Sequence, residues 1–177
     1  MLVVIVGRSG AGKSTFIEAM GMHRYHFVCS QPLIDRVKEA GLPLTHDAIF
    51  KVSQGLYDED RLWMIPIFER ELEKRGGTMI ADGLRYPHEL KELRKRCEVV
   101  VVRVDASPEE RYRRLKKRGK ISLATLEEFN RLEKDETESM NIGSVLSRAD
   151  LVVPNHGTLK QLKSRAHLFA RLLTTEV

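Results

Sequence analysis

The chain has 177 residues, of which 42% are hydrophobic and 31% charged, so it has the size and composition of one globular domain and is not a low-complexity or disordered chain. Its longest early apolar run, residues 1–6, is far shorter than the roughly 18 residues of a membrane helix, and no basic segment precedes it; we expect neither membrane insertion nor export. The two cysteines, Cys29 and Cys97, lie outside any C-x-x-C pair, which predicts no disulfide framework and no cysteine zinc site and fits a reducing, cytoplasmic compartment.

Strand-length and helix-length segments alternate along the whole chain, which predicts an α/β fold with a mainly parallel sheet in one domain, residues 1–177. Short apolar runs rich in β-branched residues predict five strands, at 2–6, 26–29, 78–81, 98–104 and 151–153. Helices are expected at about 13–20, 32–40, 46–57, 59–75, 87–96, 108–118, 126–139 and 159–173.

Several helix starts are marked by their side chains. Ser107 before Pro108 predicts an N-cap, and the Thr125–Glu128 spacing is typical of a capping box. Thr45 and Thr158 are further candidate N-caps. Pro66 should kink the 59–75 helix or split it, because proline donates no backbone hydrogen bond.

The positive charge of the chain is concentrated in one segment. The formal net charge is +5, and residues 111–120 alone contain seven cations and no acid, so the remaining chain is slightly acidic. Such a segment could bind a polynucleotide backbone or the phosphates of a nucleoside triphosphate, and net charge alone does not choose between them.

The first predicted strand leads directly into a phosphate-binding loop. The pattern G-x-x-x-x-G-K-S/T, followed by a threonine, is formed by Gly7, Arg8, Ser9, Gly10, Ala11, Gly12, Lys13, Ser14 and Thr15. Its glycines let backbone N–H groups surround a phosphate at the positive end of a helix dipole. Lys13 is then expected to bind the β- and γ-phosphates of ATP, Ser14 to coordinate Mg²⁺, and Thr15 to add a phosphate contact. The same loop occurs in kinases, motor ATPases and GTP switches, so it does not by itself identify the reaction. Residues on the acceptor side must distinguish these classes of protein.

Asp82 and Arg85 follow the third predicted strand, at the sheet edge where open α/β sheets bind ligands. Asp82 could hold Mg²⁺ through water or accept the proton of an attacking hydroxyl, and Arg85 could pair with an acceptor phosphate. Alternatively, Asp82 caps the turn and Arg85 pairs with a surface acid.

These motifs resemble those of the adenylate kinase and dephospho-coenzyme A kinase group of P-loop kinases. Residues 32–36 keep the arginine of the adenylate kinase pattern G-D-x-x-R, and residues 82–85 resemble D-G-F-P-R with one residue fewer. The resemblance implies a three-layer fold with a five-stranded parallel sheet in the order 2-3-1-4-5. It also implies that Arg36 and Arg85 hold the acceptor phosphate.

The chain is most similar to a set of predicted nucleotide kinases that share D-G-I/L-R followed by E-V/L, here Asp82–Arg85 and Glu89-Leu90, and V-x-A-S-P-x-x-R, here residues 104–111. Residues 149–162 resemble the dephospho-coenzyme A kinase pattern A-D-x-x-I-x-N-x-G-S/T-x-x-x-L. The resemblance implies a short basic lid at about 114–135 that closes over the transferring phosphoryl group. Its implied contacts are Arg114 and Arg118 in the lid, with Lys120 and Arg131 as secondary candidates, and Asn155, His156 and Gly157 beside the adenine.

The acceptor is expected to bind a helical region at about residues 30–75. Residues by which adenylate kinases recognise AMP are missing before Arg36 and after Arg85, so AMP specificity is not implied. The apolar candidates for the pocket are Leu33, Ile34, Phe50, Leu56, Trp63 and Met64, with Trp63 preferred; the alternative is that they belong to the core.

The sequence therefore predicts phosphoryl transfer from Mg-ATP to a nucleoside monophosphate or a nucleotide-like small molecule such as dephospho-coenzyme A. One alternative is a kinase acting on a hydroxyl of DNA, such as a hydroxymethylated base; the basic segment favours it, whereas the lid position of that segment counts against it. The other is a nucleotide-dependent regulatory ATPase, against which Arg36 and Arg85 argue. The oligomeric state is left open.

Overall fold

The computed structural model describes residues 1–119, 125–140 and 142–175. Five strands form one sheet, in which every neighbouring pair is parallel and the order is β2-β3-β1-β4-β5. The strands are β1 (Leu2–Val6), β2 (His26–Val28), β3 (Met79–Asp82), β4 (Val99–Asp105) and β5 (Leu151–Pro154). The predicted fold class and strand order are confirmed.

Helices connect the strands and cover both faces of the sheet. They are α1 (Lys13–Met20), α2 (Gln31–Glu39), α3 (His46–Glu59), α4 (Ile65–Lys74), α5 (Pro87–Arg96), α6 (Pro108–Lys117), α7 (Leu126–Met140), α8 (Ile142–Leu146) and α9 (Leu159–Thr175). A 3₁₀ turn, His23–Tyr25, precedes β2.

The central strand β1 is buried along its whole length. Its uninterrupted run of Leu, Val and Ile is typical of a parallel strand that is covered on both faces. On one face a core cluster centres on Phe68, Met79 and Leu90, and on the other a second cluster contains Phe16 and Leu162. The first cluster joins the sheet to α4 and α5, and the second joins it to α1 and α9.

The 59–75 segment differs from a continuous helix. Helix α3 ends at Glu59 and α4 begins at Ile65. In the intervening turn, Asp60 Oδ1 accepts a hydrogen bond of 2.8 Å from the Leu62 N–H. Pro66 lies in the first turn of α4, where a backbone N–H has no acceptor within the helix. The missing N–H of this proline therefore costs no helical hydrogen bond, and the predicted split of the segment is observed before α4.

The predicted caps are observed. Ser107 accepts a hydrogen bond from the Glu110 N–H, Thr45 caps α3, and Thr125 and Glu128 form a reciprocal capping box before α7. Thr158 forms a similar pair of bonds with Gln161 at the start of α9. The short helix α8 was not predicted.

In the part of the chain that the structure describes, no helix combines the length and apolarity needed to cross a membrane.

Candidate active site

The phosphate-binding loop joins β1 to α1 and packs against two distant segments. Gly12 has a φ of 105°, and a Cβ at this position would lie 2.4 Å from Asn155 Nδ2. Gly10 has a φ of 77°, and a Cβ there would lie 2.8 Å from the Arg111 carbonyl oxygen. Both positions therefore need glycine for conformation and for space.

Lys13 begins α1 inside the loop. Burial lowers the pKa of its ammonium group, the carboxylate of Asp82 opposes that change, and the guanidinium of Arg85 adds to it. Ser14 is exposed and Thr15 is half-buried beside it. The structure thus brings Lys13, Asp82 and Arg85 within electrostatic range of one another, although they come from two loops.

Asp82 is the last residue of β3 and is paired in register with Ile5 of β1 and Val28 of β2. Its half-buried side chain has Oδ2 3.7 Å from His26 Nε2. Carboxylate and hydroxyl oxygens are the ligands that Mg²⁺ prefers, so Asp82 and Ser14 provide a donor set that fits this ion.

Arg111 on α6 contacts the phosphate-binding loop and helps to hold it in place, a role that the sequence did not reveal. Its guanidinium is buried, with Nε 3.1 Å from the Ala106 carbonyl oxygen and Nη1 3.5 Å from that of Ser9. The two terminal nitrogens donate to the two carboxylate oxygens of Glu133 on α7. One cation of the basic segment is therefore a structural residue rather than a surface charge.

Arg114 and the loop after β5 form the other side of the site. Arg114 Nη2 donates to the Asn155 carbonyl oxygen at 2.8 Å, and Nη1 lies 3.4 Å from that of Gly10. Asn155 Nδ2 donates to the Ala11 carbonyl oxygen at 2.7 Å. His156 is half exposed, with Nδ1 3.4 Å from Glu110 Oε2.

A groove runs between α6 and the loop after β5, next to the start of α1. Predicted residues from three segments line it together: Gly12, Thr15, Arg114, Arg118, Asn155 and Gly157. The implied lid arginines and adenine-flanking residues are thus neighbours of the phosphate-binding loop. The implied lid, 114–135, includes residues 120–124, and so also Lys120, which lie outside the described residues.

A second cleft, open to solvent, lies at the carboxyl ends of β2 and β3. The predicted residues that line it are Leu33, Phe50, Met64 and Arg85. The sequence did not single out Ser53, Tyr57 and Tyr86, and it gave no role to Glu89. Of these four residues only Glu89 had a signal in the sequence, the E-V/L position after Arg85, to which no role was given.

Glu89 is 2% exposed, and its Oε1 accepts a 2.5 Å hydrogen bond from the Tyr57 hydroxyl. Burial raises the pKa of this carboxyl to about 7, although the hydrogen bond from Tyr57 opposes the rise. Burial also raises the pKa of the Tyr57 hydroxyl. An acidic group thus lies inside a mainly apolar cleft.

Several predicted acceptor residues lie elsewhere. Arg36 is exposed on α2 and forms an ion pair of 3.2 Å with Glu39, outside the cleft lining. Trp63 lies behind the cleft wall, with its ring 5.7 Å from that of Tyr57. Arg131 is exposed on α7. Ile34 and Leu56 do not line the cleft either.

Comparison with known proteins identifies relatives over the whole chain. A family model described as an AAA domain matches residues 3–141. The UPF0200 protein MK0400 of Methanopyrus kandleri is 32% identical over 180 residues, covering 98% of this chain and 90% of that protein. The UPF0200 protein PH1008 of Pyrococcus horikoshii is 27% identical over 175 residues, covering 93% of each chain.

Solved structures show the same architecture at low sequence identity. TT1252 from Thermus thermophilus is 21% identical with a TM-score of 0.65, covering 98% of this chain and 97% of that one. Shikimate kinase from Acinetobacter baumannii, solved with shikimate, is 16% identical with a TM-score of 0.59 over 99% and 93% of the chains. A gluconokinase from Sinorhizobium meliloti is 17% identical with a TM-score of 0.56 over 98% and 93%.

These likenesses show a P-loop kinase fold, as the sequence motifs indicated. The chain belongs to the UPF0200 family and carries an AAA domain at residues 3–141.

Proposed function

We propose that the protein transfers the γ-phosphoryl group of Mg-ATP to a nucleoside monophosphate or a nucleotide-like small molecule. The observation that carries this proposal is the arrangement of two sites around one segment. The phosphate-binding loop and the acceptor cleft meet at Asp82–Arg85: Arg85 lines the cleft and also acts on the pKa of Lys13. A donor site and an acceptor site thus share one sheet edge.

Phosphoryl transfer depends mainly on positioning and on neutralising the charge of the phosphoryl oxygens. In this proposal Lys13 and the loop N–H groups hold the donor phosphates, and Arg85 holds the acceptor phosphate in line for attack. Ser14 and Asp82 would hold Mg²⁺, which neutralises negative charge on the phosphates when bound. Arg114 keeps the loop and the Asn155 segment in place. A phosphate acceptor is already ionised near neutral pH and needs no general base.

The test is ATP turnover with Mg²⁺, measured with and without a panel of nucleoside monophosphates, dephospho-coenzyme A and hydroxymethylated DNA. We expect Lys13→Ala to lower turnover by several orders of magnitude, because it removes charge from the transferring group. Lys74→Ala, on an exposed turn of α4, is the matched control and should be unchanged.

Arg85→Ala separates the two sites. We expect it to weaken acceptor use while the slow hydrolysis of ATP without acceptor survives. An equal loss of both would assign Arg85 to ATP. Hydrolysis unchanged by every acceptor would support a regulatory ATPase, and transfer to DNA with steep salt dependence would support a DNA kinase.

A further inference from the structure

We propose that Glu89 recognises the base of the acceptor nucleotide, with its carboxylate accepting the paired N–H donors of a guanine-type base edge. The inference rests on the proposed function and specifies its substrate class. Tyr57 positions the carboxylate, and Arg85 lies on the same cleft to hold the acceptor phosphate.

The walls of the cleft favour a planar ring. Tyr57 and Tyr86 lie with ring centroids 4.1 Å apart, and Phe50 on the same cleft is 43% exposed. Aliphatic side chains such as Leu33 and Met64 complete the lining. A polyol would need a polar partner for each hydroxyl, whereas a nucleobase presents apolar faces and a few polar edge atoms. The lining therefore suits a base better than a sugar.

The Glu89 side chain lines this cleft and does not cap its own helix. It occupies the third position of α5, where a glutamate commonly folds back onto the N–H of the capping residue. Here its side chain instead accepts from Tyr57, which is 32 residues away on α3. Within the described residues, this is the one hydrogen bond that the Glu89 carboxyl makes, and no cation pairs with it.

A carboxylate with one hydrogen bond retains acceptor capacity that a donor in the cleft can use. An ionised carboxylate offers only acceptors, so it complements an edge with adjacent donors. Guanine presents such an edge through its ring N1–H and its 2-amino group. Adenine and cytosine place an acceptor beside their amino group, and uracil flanks its N–H with two carbonyl oxygens. The Glu89 carboxylate would therefore discriminate in favour of guanine.

The first experiment measures equilibrium binding of GMP, IMP, AMP, CMP and UMP to the wild-type protein at about pH 8, above the pKa of about 7 of the Glu89 carboxyl, so that the carboxylate is mostly ionised. A hydrogen bond to a charged group contributes about 1.5–3 kcal/mol, or roughly 10- to 100-fold in affinity. We expect GMP to bind most tightly, and IMP, which lacks the 2-amino group, to bind about 10-fold more weakly. AMP, CMP and UMP should bind about 100-fold more weakly than GMP.

The second experiment uses Glu89→Gln, which keeps the shape and replaces one acceptor oxygen by a donor. GMP affinity should fall at least about 10-fold, with a smaller change for AMP. Glu92→Gln is the matched control, because Glu92 lies on the same helix but pairs with Lys95 and Arg96 away from the cleft. Unfolding curves verify that both variants are folded, and the GMP-to-IMP comparison requires no variant.

Equal binding of GMP and AMP, or a preference for another base, would overturn the inference even if phosphoryl transfer occurs. Phosphorylation of an acceptor without a base would do the same while leaving the kinase proposal intact. Preferential binding of GMP without transfer from ATP would support base recognition and contradict the kinase proposal. Binding and turnover are measured separately, so the two failures are distinguishable.

Discussion

Glu89 is the residue at which charge and burial conflict most clearly. Its carboxyl lies in the cleft at the carboxyl ends of β2 and β3 and accepts a hydrogen bond from Tyr57, and the thiol of Cys29 lies in the same lining. Burial raises the pKa of Glu89 to about 7 from its ordinary value of 4.5, so the folded protein holds the proton more tightly than the unfolded chain. Such a residue reduces stability at high pH, which favours a functional role over a purely structural one.

The pKa of Glu89 predicts a pH dependence of stability. The contribution of Glu89 to the free energy of unfolding is fully present below about pH 4.5 and is lost as the pH rises through about 7. The total loss is at most about 3 kcal/mol. The glutamine side chain of Glu89→Gln stays neutral at every pH. The free energy of unfolding of this variant, relative to that of the wild type, should therefore increase between about pH 5 and pH 8. Urea unfolding across this range measures the difference. Parallel pH curves for the two proteins would show that Glu89 does not titrate as described.

At the scale of elements, α6 and α7 are joined by the buried pair of Arg111 and Glu133. The Arg111 side chain is 4% exposed and that of Glu133 is 12% exposed. The ring of Phe129 on α7 lies 5.4 Å from the Arg111 guanidinium. Because Arg111 also contacts the carbonyl of Ser9, the position of α7 is coupled to the phosphate-binding loop.

Glu133→Ala should therefore be strongly destabilising. It leaves the guanidinium of Arg111 buried without its carboxylate, a change that costs about 3–5 kcal/mol. Glu69→Ala removes an exposed pair with Arg96 between α4 and α5 and should cost less than about 1 kcal/mol. Urea unfolding of both variants makes the comparison. Equal losses would mean that solvent screens the Arg111 pair as well.

At the scale of the whole molecule, the phosphate-binding loop after β1 is held in place by the segment that follows β5. Asn155 donates to the carbonyl of Ala11 across 144 residues of sequence, and its own backbone N–H bonds to Asp105 at 2.6 Å. The phosphate-binding loop therefore has these contacts only when the segment after β5 is in place.

Gly12→Ala tests this closure. The added Cβ would meet Asn155 Nδ2 in a backbone conformation that alanine rarely adopts, so we expect a loss of about 3 kcal/mol in unfolding free energy, together with weaker ATP binding. Gly21→Ala is the control at the other end of α1: its φ is also positive, at 68°, but no atom lies nearby, so it should cost about 1 kcal/mol. Unfolding and nucleotide titration provide the two readouts. If both variants lose the same unfolding free energy, contact with Asn155 is not the cause of the destabilisation by Gly12→Ala.

Local patterns predicted much of this molecule. The apolar run before Gly7, the glycine spacing of the loop and the caps at Ser107 and Thr125 depend on neighbours within a few residues, so they could be recognised in the sequence. The sheet order came from resemblance to known kinases, and the structure confirms it. Arg114 and Arg118, implied as lid contacts to the transferring phosphoryl group, line the groove beside the loop, and that role stays a prediction.

The sequence by itself determined the class of protein, because strand periodicity, helix caps and a phosphate-binding loop are short-range properties. Only the tertiary structure decided which cations are buried, that Arg36 lies outside the cleft lining, and that Glu89 meets Tyr57 within it. Burial and pairing arise from contacts between residues far apart in the chain. The pKa of a carboxyl depends on those contacts and not on its neighbours in sequence.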